Sequence, residues 1–167
     1  MVNIGIFSDS HGDLNSLSRL LYSMGSLDAV LFLGDVARDS DWLSAQLEHW
    51  PAPPEFYAVR GNNDLASGLP DELVVKIGGK RIFMTHGHLY HVRSGTEELV
   101  DRALECHAEV ALYGHTHEAY VAAERGVLVI NPGAAGNPWG CHRARAVKLI
   151  VDGEHMRVED VIAGEAF

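Results

Sequence analysis

The chain opens on an alternating apolar stretch, Val2–Phe7, that reads as a strand and is broken by Ser8-Asp9-Ser10-His11-Gly12. Leu14, Leu17, Leu20, Leu21 and Met24 then recur at helical spacing. Asp13 stands where an N-cap belongs, and Gly25 where the chain leaves the helix. Residues 29–33 form an unbroken apolar run, as expected of a strand covered on both faces, and Gly34-Asp35 ends it. Residues 42–50 predict a short helix stopped by Pro51, and residues 55–59 a strand closed by Arg60-Gly61-Asn62-Asn63-Asp64.

The second half has a different rhythm. Residues 73–77 and Lys80–Thr85 flank Gly78-Gly79, a hairpin signal. Two more hairpins are predicted, one with 119–124 and Val127–Asn131 around Arg125-Gly126, the other with 145–151 and 155–161 around Asp152-Gly153. Between them, 96–105 reads as a helix with Leu99, Ala103 and Leu104 inward, and the strand at 110–113 runs into Gly114-His115-Thr116-His117. Strand-helix units followed by hairpins predict an α/β fold of α+β type. Two sheets packed face to face with helices outside account for both halves. Neither a linker nor a repeat divides the chain, so a single domain over 1–167 is expected.

Composition narrows the setting. Apolar residues make up 47% and charged residues 22%, the balance of a soluble globular protein. No apolar run approaches the roughly 20 residues needed to cross a bilayer, and the start lacks the features of a signal peptide, so a cytoplasmic protein without membrane contact is expected. A net charge of −10 argues against strong nucleic-acid binding. It also suits a protein in which some carboxylates hold cations. Two cysteines are too few for a disulfide framework; Cys106 reads as a small buried hydrophobe, and Cys141 lies in a loop beside His142.

The polar residues fall in a telling place. Asp9 and His11 follow the first strand, Asp35 the second, Asn62 and Asp64 the third. His86 follows Lys80–Thr85, and His115 and His117 follow the strand at 110–113. Each lies just past a strand end beside a glycine, and parallel strands present such ends at one rim, where ligands bind. Any one of these loops alone is usually a solvated turn; five in order are not assigned to chance. Oxygen and imidazole donors without thiolate suit manganese, iron, cobalt, nickel or zinc. The number of donors exceeds what one ion takes while staying open to substrate, which points to a pair of ions of the kind that clamps an in-line displacement at phosphorus.

Asp9-Ser10-His11, Gly34-Asp35, Gly61-Asn62-Asn63-Asp64, His86-Gly87-His88 and Gly114-His115-Thr116-His117 together resemble the ordered motifs of the calcineurin-like metallophosphoesterase superfamily. The short length and Asn131-Pro132-Gly133 resemble its small bacterial and archaeal phosphodiesterase branch. The resemblance implies a four-layer sandwich, two mixed sheets flanked by helices. It implies two divalent ions, manganese foremost. The first would take Asp9, His11, Asp35 and His117; the second Asp35, Asn62, His86 and His115, with Asp35 shared and a hydroxide between the ions as nucleophile. A small phosphate ester would be the substrate, a diester before a monoester, and self-association into a homo-oligomer would be in keeping.

Three residues join the site as catalytic candidates on the same ground. Asn63 stands where larger relatives carry a histidine that protonates the leaving oxygen, a task an amide cannot perform. Asp64 is placed to orient its neighbours. His88, with His91 or a water as alternatives, is placed to replace the missing acid. Arg143, after the Asn-Pro-Gly loop, is placed to meet a phosphate oxygen, while Arg145 and Lys148 are expected at the surface. Two competing readings are a metal-poor interaction scaffold of the same fold, like the retromer subunit that shares it, and a single-ion hydrolase of another type. The complete donor set argues against the scaffold. The Gly-Asn-Asn-Asp element and the irregular strand-helix order argue against the single-ion hydrolase.

Overall fold

In a computed structural model, which describes residues 1–137, 140 and 143–164, ten strands and three α-helices form among the described residues. Strand β1 (Val2–Phe7) leads to α1 (Leu14–Ser23), β2 (Ala29–Phe32), α2 (Ala37–Glu48) and β3 (Glu55–Ala58). Then come β4 (Glu72–Ile77), β5 (Lys80–Thr85), α3 (Glu97–Glu105), β6 (Val110–Leu112), β7 (Tyr120–Glu124), β8 (Val127–Asn131), β9 (Arg145–Asp152) and β10 (His155–Ile162). The first sheet has the order β10-β9-β1-β2-β3 and the second β4-β5-β6-β8-β7. Each contains three adjacent parallel strands, β1-β2-β3 in one and β5-β6-β8 in the other, so six carboxyl ends are available for a site.

Packing follows from the side-chain period of two. Ile4, Ile6, Leu31, Ile82, Met84, Leu112, Ile130 and Leu149 point between the sheets and form one buried cluster. The opposite faces carry Phe7, Val30 and Phe32, which α1 and α2 cover with Leu17, Leu20, Leu21, Leu43 and Leu47. Helix α3 covers the outer face of the second sheet with Leu99, Val100 and Ala103 against Phe83, Ala111 and Val129. Helix, sheet, sheet and helix make the four layers expected. No helix of the described residues is long and apolar enough to cross a membrane.

Most elements lie where the periodicity puts them. Asp13 caps α1, its carboxylate accepting from Ser16 N at 3.1 Å, and Gly25 follows the helix with φ of 68°. Helix α2 is the exception, beginning at Ala37 rather than near residue 42. Its first turn buries Asp39 and Ser40, so the burial is polar and leaves no trace in an apolar period. Cys106 is half-buried at the end of α3 rather than fully enclosed, because it caps the helix at the surface. Arg145 and Lys148 are likewise half-buried, Arg145 paired with Asp160 and Lys148 donating to Met24 O at 2.7 Å. Cys141 and His142 lie outside the described residues.

The loop after β2 passes close to the loop after β3. Gly34 has φ of 99°, and a Cβ there would lie 2.4 Å from Gly61 N. Gly79, at φ of 85°, has nothing within 4 Å of the same point. Both alanine variants carry the left-handed cost of about 1–2 kcal/mol, and only Gly34→Ala adds an overpacking cost of about 1–3 kcal/mol. Denaturant titration of the two variants should therefore rank Gly34→Ala clearly lower in stability; equal midpoints would mean that the two loops separate freely.

Candidate metal centre

The carboxyl ends of β1, β2 and β3 and those of β5 and β6 converge on one rim. Asp9, His11, Asp35 and Asn62 come from the first sheet, and His86, His115 and His117 from the second. Five of the eight non-glycine residues with positive φ among those described are Asp9 (55°), His11 (47°), Asp35 (47°), His115 (68°) and His117 (63°). Such backbone is sparsely populated and strained for residues with a Cβ, and it persists where the surroundings over-determine it.

Asp9 is fully buried. Its Oδ2 accepts from Ser8 Oγ at 2.6 Å and from His115 N at 3.0 Å. Its Oδ1 is buried with no hydrogen-bond donor. Around that atom lie His117 Nε2 at 3.2 Å, His11 Nε2 at 3.7 Å and His86 Nε2 at 3.9 Å. His11 Nε2 and His117 Nε2 are themselves 3.1 Å apart. Burial alone raises the Asp9 carboxyl, but its contacts with His11 and His117, the charge of His86 and the Ser8 hydroxyl hold it far below the usual carboxylate range. A buried, ionised oxygen ringed by imidazole nitrogens and lacking a donor fits a cation.

A second group adjoins the first. His86 Nε2 lies 3.6 Å from Asp35 Oδ2, and its Nδ1 meets Leu33 O at 2.7 Å, which fixes the ring. Asn62 Oδ1 lies 3.1 Å from His86 Nε2 and 3.0 Å from His115 Nδ1. The donor atoms that converge closely enough to hold an ion are those of Asp9, His11 and His117 in one set and of Asp9, Asp35 and His86 in the other. Asp9 is thus common to both sets, whereas the resemblance gives the shared role to Asp35.

The three catalytic candidates occupy different places. Asn63 donates from its backbone N to Asp35 Oδ1 at 3.1 Å and from Nδ2 to Asp35 Oδ2 at 2.7 Å, so it orients Asp35. Asp64 lies beneath, its Oδ2 accepting from Asp35 N at 2.9 Å and Gly61 N at 2.7 Å, and its Oδ1 from Ala37 N at 2.8 Å. Val36 makes no side-chain cap, so Asp64 caps α2 from 27 positions away. His88 packs beside His86 and His115, with ring centroids 5.5 and 6.2 Å away. Burial, His86 and Arg60 push its pKa down, and its buried Nδ1 has no partner. His91 is exposed and paired with Glu98 of α3 at 3.0 Å.

Four supporting residues were not legible as such. Asp39 accepts from Ser10 Oγ at 2.6 Å and Gly12 N at 2.7 Å, bracing the His11 loop. Ser8 braces Asp9. Asn131 is buried and donates to Gly114 O at 3.1 Å and Thr116 Oγ1 at 2.9 Å, which sets the loop bearing both histidines. Arg93 donates from Nε to His115 Nε2 at 3.0 Å. Apart from Ser8, which adjoins Asp9 in sequence, these residues meet the centre only through the tertiary arrangement.

Comparison with known proteins identifies the family and the fold. A family model described as the calcineurin-like phosphoesterase superfamily domain matches residues 2–154. Phosphodiesterase YfcE of Escherichia coli K12 is 32% identical over 172 aligned positions, covering 84% of this chain and 83% of its own. A crystal structure of a predicted phosphoesterase from Streptococcus pneumoniae TIGR4 superposes with TM-score 0.76 at 29% identity, covering 97% of this chain and 90% of its own. Chaetomium thermophilum Vps29 shares the fold, with TM-score 0.75 at 20% identity and coverage of 99% and 100%.

Replacing Asp64 by alanine strands three backbone donors at once. A buried unsatisfied donor costs about 1–3 kcal/mol, and the loss here is expected to reach about 3 kcal/mol in chemical denaturation. A loss below about 1 kcal/mol would show that water replaces the carboxylate and that Asp64 does not hold the two loops.

Proposed function

The chain belongs to the calcineurin-like phosphoesterase superfamily, and from that premise we propose that it is a phosphodiesterase working with two divalent cations. Membership implies divalent metal; the number of ions, their identity and the preference for diesters are the proposal. The observation that carries it is Asp9 Oδ1, buried, ionised, without a donor and surrounded by His11, His86 and His117. A protein that used this fold only as an interaction scaffold would have no need of so costly an atom.

The first cation is assigned to Asp9, His11, Asp35 and His117, the second to Asp35, Asn62, His86 and His115. Oxygen and imidazole donors favour manganese, with nickel, cobalt, iron or zinc as alternatives. Bound there, divalent ions supply Lewis acidity toward a phosphoryl group and lower the pKa of water. The chain does the positioning. Asn63 and Asp64 fix the Asp35 carboxylate and its backbone, Leu33 O fixes the His86 ring, and Asn131 sets the His115–His117 loop. Ser8 and Asp39 brace the first loop.

Purified protein is expected to hold two divalent ions per chain by elemental analysis and to lose hydrolysis on chelation. Trace metal only, with no activity restored by manganese, cobalt, nickel or zinc, would overturn the enzyme reading. Asp35→Asn should lose both ions, and His117→Ala only one. If Asp35→Asn instead keeps one ion while Asp9→Asn keeps none, Asp9 is the shared carboxylate.

Leaving-group chemistry follows from Asn63. Its amide is engaged with Asp35 and releases no proton at neutral pH. General acid catalysis contributes about 10²–10⁴-fold, and a site without it favours esters whose leaving group departs unprotonated. Nitrophenyl diesters are therefore expected to be cleaved far faster than alkyl diesters, with a steep dependence of rate on leaving-group pKa. A flat dependence at saturating metal would assign the proton to His88 or His91, or show that chemistry is not the rate-limiting step.

A further inference from the structure

A groove runs to one end of the rim that bears the metal centre. Its nearer part is a hollow of about 480 Å³ that shares His117 with the centre and has Ala119, Arg143, Arg145 and Ile162 in its walls. A second hollow, of about 340 Å³, shares Ala119 and Arg145 with the first and continues past Tyr120, Val121 and Val158. Tyr120 and Val121 belong to β7, an edge strand of the second sheet, and Val158 and Ile162 to β10, an edge strand of the first. The groove therefore follows the seam between the two sheets and reaches the rim from its end, at His117. Tyr120, Val121 and Ile162 are three of the eight exposed large apolar side chains among the described residues. Hollows of about 270 Å³ beside Asn63 and about 170 Å³ beside His115 also border the centre, but both are smaller and neither is lined by such a side chain.

The walls define what the groove can hold. Exposed apolar surface grouped beside a polar centre marks a place for an apolar part of a ligand. The Tyr120 ring is held in place, its hydroxyl donating to Glu124 Oε1 at 2.8 Å and its centroid 6.5 Å from that of Tyr113. Charges balance among the described lining residues, Arg143 and Arg145 against Glu118 and Asp160, and Arg145 is paired with Asp160. The groove thus offers no surplus positive charge to hold a second phosphate. In an in-line displacement the attacking and leaving oxygens share one axis, and the ester group that stays on phosphorus lies across it. A groove that meets the centre from the end of the rim is placed for that group. We propose that the seam between β7 and β10 is the subsite for the retained ester group of a phosphodiester, and that it selects a bulky, uncharged aromatic group over a small one. This rests on the phosphodiesterase reading and names the class of ester within it.

The test uses the full chain loaded with manganese and two diesters, benzyl nitrophenyl phosphate and methyl nitrophenyl phosphate. Both release nitrophenolate and both keep an alkyl–oxygen group on phosphorus, so their intrinsic reactivities nearly match and only the retained group differs. Water adds to phosphorus, the bond to the nitrophenyl oxygen breaks, and benzyl or methyl phosphate remains. The value of kcat/KM should be about tenfold higher for the benzyl ester, with the difference in KM rather than kcat, because the ring is bound alike in the ground and transition states. In calorimetry benzyl phosphate should bind about tenfold more tightly than methyl phosphate. Y120A and I162D should each bring both ratios toward unity. Wild-type ratios within about twofold of unity, or ratios that both variants leave unchanged, overturn the proposal alone. A dimer in sedimentation that I162D dissociates, with the ester ratio intact, assigns the groove to a second copy of the chain and overturns it as well. Cleavage of neither ester with any divalent cation overturns it together with the phosphodiesterase reading.

Discussion

A buried carboxylate oxygen with no hydrogen-bond donor is among the costliest atoms a small protein can keep, and much else in this molecule is arranged around Asp9 Oδ1. Its partner oxygen is satisfied twice, by Ser8 and by the His115 backbone, so the lone oxygen is not a gap in an otherwise loose region. Two sheets must bring their parallel strand ends to one rim for His11, His86 and His117 to reach it. The apolar layer of Ile4, Ile6, Leu31, Met84, Leu112 and Ile130 lies directly beneath that rim and sets the distance between the sheets. The hydrophobic interior thereby determines the spacing of the polar donors, and the same packing provides stability and site geometry.

The backbone at the rim is as constrained as the side chains. Left-handed conformations at Asp9, His11, Asp35, His115 and His117 turn the chain sharply past each strand end. Such turns are held by polar contacts to neighbouring elements rather than by apolar burial, as with Ser10 and Gly12 on Asp39 of α2, or Gly114 and Thr116 on Asn131 of β8. The donors are therefore preorganised by a second layer of buried polar residues, each fully engaged.

Much of this was legible in the sequence. Strand ends carrying Asp, His or Asn beside glycine recur five times, and that order fixes which residues share a rim once the strands are parallel. Helix α1 announced itself with Asp13 and Gly25, and the hairpins with their glycine turns. The first turn of α2 did not, because its inward residues, Asp39 and Ser40, are polar and periodicity counts only apolar ones. The positions of Asn131 and Arg93 against the centre depend on which strands and loops neighbour which, a tertiary fact with no local signal. Asn63 was legible as a departure from the larger relatives, but its engagement with both oxygens of Asp35 was not.

Asp64 joins three amides, those of Asp35, Ala37 and Gly61, that belong to two loops and a helix terminus. All three N–H groups donate to the one buried carboxylate. Hydrogen exchange at the three positions should thus report one shared opening event rather than three, with a common free energy and a common response to denaturant. The loops after β2 and β3, separate along the chain, would then behave as one cooperative unit whose opening carries Asp35 out of the centre.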